Sequence, residues 1–287
     1  MRFAITASDR YLGVLNALVQ AGWQPLKLFA PPVDGRVHRN KAVIETAQKL
    51  GMEIQLSRLT PANLETLAAQ GCEALVVASY NWKIPDWRPA LKYAVNLHAS
   101  PLPEARGPYP AVRALLEGRR SWAVSCHKVE QNFDSGDLLA QESFALSDTD
   151  SHESLDLKIQ MAARRLATRV AGDFAALWDG AQAQGTGSYW KHWRPEERKL
   201  DFSRGVEDVL RQVRAFGLIE CTATVNKIDI FVRRAVGWTE AHTATPGAMV
   251  HSDGATMVVA ARDGYIGIVE WSLLDPDAVV GNRGLRI

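Results

Sequence analysis

Apolar and polar positions follow two rhythms in the first half of the chain. Compact apolar runs at Arg2 to Ala7, Pro25 to Phe29, Glu53 to Gln55, Ala74 to Ser79, Ala94 to His98 and Ala123 to Val129 predict strands. Between them, apolar residues step by three or four near Tyr11 to Ala21, Lys41 to Leu50, Pro61 to Gln70 and Ala111 to Gly118, which predicts helices. Strand and helix taking turns at short intervals is the pattern of an α/β fold, a mostly parallel sheet with helices on both faces.

A longer helix is predicted from about Ser151, with that serine as N-cap. Its stripe of Leu155, Ile159, Ala162, Leu166, Val170, Phe174 and Leu177 reads as core packing. The pattern stops at Asp179 to Ser188, where small polar residues offer no periodic face. The chain therefore divides into a first domain at 1–180, a linker at 181–195 and a C-terminal domain at 196–287. The last part reads as one helix, about Gly205 to Phe216, and then short strands at Thr222 to Val225, Ile228 to Ala235, Gly247 to His251, Thr256 to Ala261 and Tyr265 to Glu270. A small antiparallel barrel fits that spacing.

Composition narrows the function. With 287 residues, 47% apolar and 23% charged, the chain can build a sizeable core, which argues against disorder. A formal charge of +1 supplies no global field for nucleic acid or an anionic membrane. Cys72, Cys126 and Cys221 are too few and too scattered for a zinc site or a disulfide framework, so no metal is expected and the thiols are expected to be buried and reduced. No apolar run is long enough for a spanning helix, and the N-terminal stretch is too short for a signal peptide. The expected location is the cytoplasm.

Candidate chemistry sits at strand ends, where ligands bind to parallel α/β sheets. Asn96 and His98 are two residues apart at the end of one strand, so both side chains point to the same face. Pro101-Leu102-Pro103 and Arg106-Gly107-Pro108-Tyr109-Pro110 then stiffen the exit. After the next strand comes a polar loop in which Asp134 or Asp137 could reach the same crevice and fix the imidazole's protonation. A polar strand end and an Asp-initiated turn explain the same residues without any function. Spacing alone does not choose between the two readings.

Taken together, Asn96-Leu97-His98-Ala99-Ser100-Pro101-Leu102-Pro103, Arg106-Gly107 and Phe133-Asp134-Ser135-Gly136-Asp137 resemble the formyltransferases that use 10-formyltetrahydrofolate. Arg211 to Phe216, Thr245-Pro246-Gly247 and Val280-Gly281-Asn282-Arg283 extend the resemblance to the second domain of methionyl-tRNA and sugar formyltransferases. The resemblance implies a Rossmann-like catalytic domain followed by an OB-like β-barrel. It places the catalytic trio on Asn96, His98 and Asp134. Asn96 and a protonated His98 would donate to the formyl oxygen, and Asp134 would hold His98 cationic and help to move the proton. The donor's pterin would be held by the loops at Trp82, Lys83, Ile84 and Pro85 and at Val129 to Phe133, including Gln131. Tyr109, Glu130 and Asn132 are offered as acceptor contacts. Arg106 would either touch the acceptor or, as favoured here, brace its own loop.

The acceptor is read from departures. Transfer-RNA enzymes of the family carry a Lys-rich loop after the second strand, whereas Ala30 to Lys41 is shorter and mildly basic. Residues 186–287 hold 13 basic and 13 acidic residues, whereas gripping an RNA backbone needs a positive face. A small-molecule amine or hydroxylamine, such as an amino sugar nucleotide or modified amino acid, is therefore expected, with methionyl-tRNA as the alternative. A related hydrolase carries an extra N-terminal domain, and this chain begins directly on its first strand. The first turn, Ala7 to Gly13, lacks the Gly-x-Gly-x-x-Gly of a dinucleotide-binding oxidoreductase.

Overall fold

A computed structural model of the chain describes residues 1–33 and 38–273. The first part contains β1 (Arg2–Thr6), α1 (Leu12–Gln20), β2 (Gln24–Phe29), α2 (Lys41–Lys49), β3 (Glu53–Gln55), α3 (Pro61–Ala69), β4 (Ala74–Val77), β5 (Tyr93–His98), α4 (Ala111–Leu116), β6 (Ser121–Lys128), β7 (Leu138–Ala145), α5 (His152–Gly172) and α6 (Phe174–Asp179). Among the described residues its seven strands form one sheet, ordered β3-β2-β1-β4-β5-β6-β7. The ladders from β3 to β5 are parallel, whereas β6 runs antiparallel to both β5 and β7.

Both faces of the sheet are buried. Phe3, Ile5, Val76, Val95 and Leu97 join one core cluster, while Ala4, Leu75, Val77 and Ala94 join another. Side chains that alternate between two dry faces explain why these strands read as continuous apolar runs. The face of Ala94 continues as Asn96 and His98, past the edge of its core.

Two elements depart from the sequence reading. β7 begins in the last residues of the expected polar loop and runs on through a stretch to which the sequence assigns no strand; its sequence, LLAQESFA, alternates buried and accessible positions only weakly. The long helix whose predicted stripe ends at Leu177 is divided at Asp173, whose φ of −122° and ψ of 29° leave the helical region. At its start the predicted N-cap forms, with Ser151 and Ser154 capping each other's backbone.

The second part contains α7 (Val206–Phe216), β8 (Cys221–Val225), β9 (Ile228–Thr239), β10 (Met249–Ser252), β11 (Met257–Ala260) and β12 (Gly264–Leu273). These strands form an antiparallel sheet ordered β10-β11-β12-β9-β8. α7 turns Val206, Val209, Val213 and Phe216 inward, and one apolar cluster runs from the first sheet through this helix to the second sheet. Arg113 of α4 also pairs with Glu197 at 3.0 Å. The Val280 to Arg283 motif lies outside the described residues, as do residues 34–37 of the loop after β2. Among the described residues, no helix is long and apolar enough to cross a membrane.

Candidate active site

Three chain segments converge at the carboxyl end of β5. Asn96 and His98 project from that strand, and Asp134 comes from the loop between β6 and β7, where a φ of 54° turns its carboxylate back toward them. Asp134 Oδ1 lies 3.2 Å from Asn96 Nδ2 and 3.4 Å from His98 Nδ1. Its Oδ2 accepts from the Gly107 N–H at 2.9 Å. The Arg106-Gly107 turn therefore holds the carboxylate through its backbone. Gly107 has a φ of +106°, and a Cβ there would collide with the Trp190 carbonyl and the Tyr189 ring.

The Arg106 side chain braces this arrangement. Its Nε and Nη2 donate to Gln184 Oε1 at 3.1 and 2.9 Å, and Gln184 Nε2 in turn donates to the carbonyls of Asp134 and Gly136 at 3.0 and 2.6 Å. A residue of the expected linker thus ties the Arg106 turn to the Asp134 loop. Arg106 lines a neighbouring groove with Lys83, Phe133 and Tyr189, outside the main cleft.

His98 and Asp134 are mostly buried, with side chains 11% and 10% exposed. His98 Nε2 donates to the Ala105 carbonyl at 3.0 Å, which leaves Nδ1 facing Asp134. Burial lowers the His98 pKa below its ordinary 6.5, outweighing the opposing pull of Asp134 and the Ala105 hydrogen bond. Burial opposes ionisation of Asp134 as well, but the neighbouring imidazoles and the Gly107 N–H bring its pKa down to about 2. Burial favours the neutral imidazole at His98, and the neighbouring groups favour the carboxylate at Asp134. Burial thus opposes the standing cation that the resemblance implies at His98, while the adjacent Asp134 carboxylate favours it.

The trio opens into a cavity of about 400 Å³. Trp82, Lys83, Ile84, Val129, Glu130, Gln131, Asn132 and Phe133 all line it, with Tyr109 on another stretch of its wall. Trp82 packs edge-on to Tyr80, the Val129 carbonyl accepts from Trp87 Nε1 at 3.1 Å, and Phe133 is 58% exposed. Glu130 is ion-paired to Arg88, and Asn132 is exposed. Tyr109 Oη lies 2.6 Å from His152 Nε2, beside Arg10 and its partner Asp156. Among the described residues no group of His, Cys, Asp and Glu could hold a metal ion.

Sequence reasoning passed over Arg10, His38 and His127, all of which line this cavity. His127 was detectable: Ser125 and His127 are polar positions two apart in an apolar strand, the same signal as Asn96 and His98. The antiparallel register pairs Asn96 with His127 and His98 with Ser125.

This is the architecture of a group-transfer enzyme, with two parts that both find relatives. A family model described as formyl transferase matches residues 31–171, and one described as formyl transferase, C-terminal domain, matches residues 193–280. The chain belongs to the formyltransferase family. It is 26% identical to the methionyl-tRNA formyltransferase of Gluconobacter oxydans over 274 residues, covering 91% of this chain and 88% of that protein. Its identity to the Methylococcus capsulatus enzyme of the same name is also 26%, over 100% of this chain and 91% of that protein. Among solved structures, an N-formyltransferase from Helicobacter canadensis in complex with folinic acid and dTDP-3-aminofucose superposes with a TM-score of 0.68 at 14% identity, covering 94% of this chain and 99% of that one. A variant of HypX from Aquifex aeolicus also reaches 0.68, at 17% identity over 98% of this chain, which spans only 47% of that protein. These likenesses between structures concern the fold.

Proposed function

We propose that the chain transfers a formyl group from 10-formyltetrahydrofolate to the amine or hydroxylamine of a small molecule, such as an amino sugar nucleotide or modified amino acid. The observation that carries this reading is the convergence of Asn96, His98 and Asp134 on one partly apolar cleft. Trp82, Ile84, Val129 and Phe133 offer apolar surface to a flat heterocycle, and their loops offer backbone groups for its polar edge. The donor supplies an electrophilic formyl carbon.

The residues of this chain supply the proton handling. His98 Nδ1 and Asp134 Oδ1 are two acceptors 3.4 Å apart, a gap closed by one proton. As the acceptor amine attacks, His98 Nδ1 takes its proton, and Asp134 stabilises the imidazolium that forms. The proton then passes to the departing nitrogen. The Asn96 amide donates toward the formyl oxygen as negative charge gathers there, competing with Asp134 for one N–H. Tyr109, with Arg10 and His38 near it, marks the end of the cleft assigned to the acceptor.

Catalytic residues 1–180, a linker at 181–195 and an OB-like domain at 196–287 complete the proposed organisation, and the five antiparallel strands support the last part. Three buried free thiols support a reducing, cytoplasmic location. The small-acceptor reading rests on the balanced charge of the second part. There, Arg204 and Arg211 pair with Asp208, Arg214 with Glu207, and Arg233 and Arg234 with Glu270, which leaves less free positive charge for a phosphate backbone. The methionyl-tRNA reading is the alternative, favoured by the named relatives. Purified protein is offered 10-formyltetrahydrofolate with a panel of amino sugars and amino acids, and separately with charged initiator tRNA. Tetrahydrofolate release with a small amine supports the proposal; turnover with the tRNA alone overturns the acceptor, and no turnover with either overturns the function.

A further inference from the structure

One buried imidazole in the cleft wall takes no proton in the steps above. His127 stands on β6 directly across from Asn96, and its side chain is 2% exposed. Its Nδ1 faces the Lys128 carbonyl at 2.7 Å, so Nδ1 must carry a hydrogen. Its Nε2 lies 3.1 Å from Asn96 Nδ2, an atom that only donates, so in the neutral ring Nε2 is the acceptor. The Lys128 carbonyl therefore selects one tautomer, and that tautomer presents its lone pair to Asn96.

We propose that His127 is a positioning residue that aims the Asn96 amide. The inference rests on the formyl-transfer reading and adds a residue to it. Asn96 Nδ2 has two hydrogens and two acceptors, His127 Nε2 at 3.1 Å and Asp134 Oδ1 at 3.2 Å. Two such anchors fix the plane of the amide and which end of it is nitrogen. With the His127 anchor removed, the amide can rotate or flip, and its carbonyl oxygen can face the place where negative charge must gather. His127 Nε2 also lies 3.6 Å from Asp134 Oδ1, so the ring closes the wall on that side.

Three substitutions separate aim from packing. His127→Gln keeps an acceptor at the end of a chain long enough to reach Asn96. His127→Asn keeps polarity but falls short of that atom, and His127→Leu keeps only bulk. His127→Leu and His127→Asn are expected to lower kcat by roughly 10- to 100-fold, the scale of misplacing one catalytic group, with a smaller change in donor KM. His127→Gln is expected to recover most of that loss. The Asn96 side-chain amide resonances should stay near the wild-type positions in His127→Gln and move in the other two, a readout that needs no turnover. The inference is overturned if His127→Asn keeps wild-type kcat, if Gln and Asn lose activity equally, or if the amide resonances do not respond. A wild-type protein without turnover would instead overturn the formyl-transfer reading, and the resonances would still decide the role of His127.

Discussion

Replacing Asp134 by asparagine removes one charge and almost no volume. The carboxylate oxygen is 3.4 Å from His98 Nδ1, and both side chains are about one-tenth exposed, so screening by solvent is weak. At an effective dielectric near 20, unit charges at that distance interact by about 5 kcal/mol, and each 1.4 kcal/mol or so is one decade in rate. Because this interaction appears only when His98 takes the proton, it acts on the transition state, and kcat should fall by roughly 10³-fold. Ground-state binding of either substrate changes much less, so KM should stay within a few-fold. The assay is tetrahydrofolate release under saturating donor, with the acceptor found by the screen above. A kcat for Asp134→Asn within tenfold of wild type would refute the charge argument, provided the variant melts cooperatively.

Three further outcomes follow from the same geometry. Since burial lowers the His98 pKa and its neutral form takes the proton, kcat/KM should be flat at neutral pH and fall on an acid limb centred below 6.5; activity that instead falls as the pH rises through this range would mean that the cation is the working form. Asp134 has a pKa lowered to about 2 from 3.8, so it contributes about 2 kcal/mol of stability above pH 4 that disappears as the pH falls toward 2. Denaturant titrations of Asp134→Asn between pH 2 and pH 7 should show a shallower acid dependence than wild type, and parallel curves would contradict this. Gln184→Ala cuts the tie between the Arg106 turn and the Asp134 loop, so kcat should drop about tenfold or more while the melting temperature shifts by only a few degrees; an unchanged kcat would leave Gln184 a surface residue.

The strands that read clearly in the sequence are those buried on two faces, since β1, β4 and β5 carry apolar residues at consecutive positions. β7 was missed because it lies at the end of the sheet order, where the weakened apolar pattern resembles a loop. The halt at Asp173 was illegible for a different reason: the apolar stripe continues through Phe174, and only the backbone of one residue breaks the helix. In the cleft, period two exposed Asn96 and His98, but Asp134 was one of two aspartates that spacing could not separate. What separates them is a three-dimensional fact: the left-handed turn at residue 134 returns its carboxylate to the Gly107 N–H, whereas Asp137 pairs with Lys128. His127 carries the broader lesson. A polar residue in an apolar strand becomes meaningful once the register of its neighbour is known, and antiparallel pairing of β5 with β6, which a run of βα units does not foretell, supplies that register.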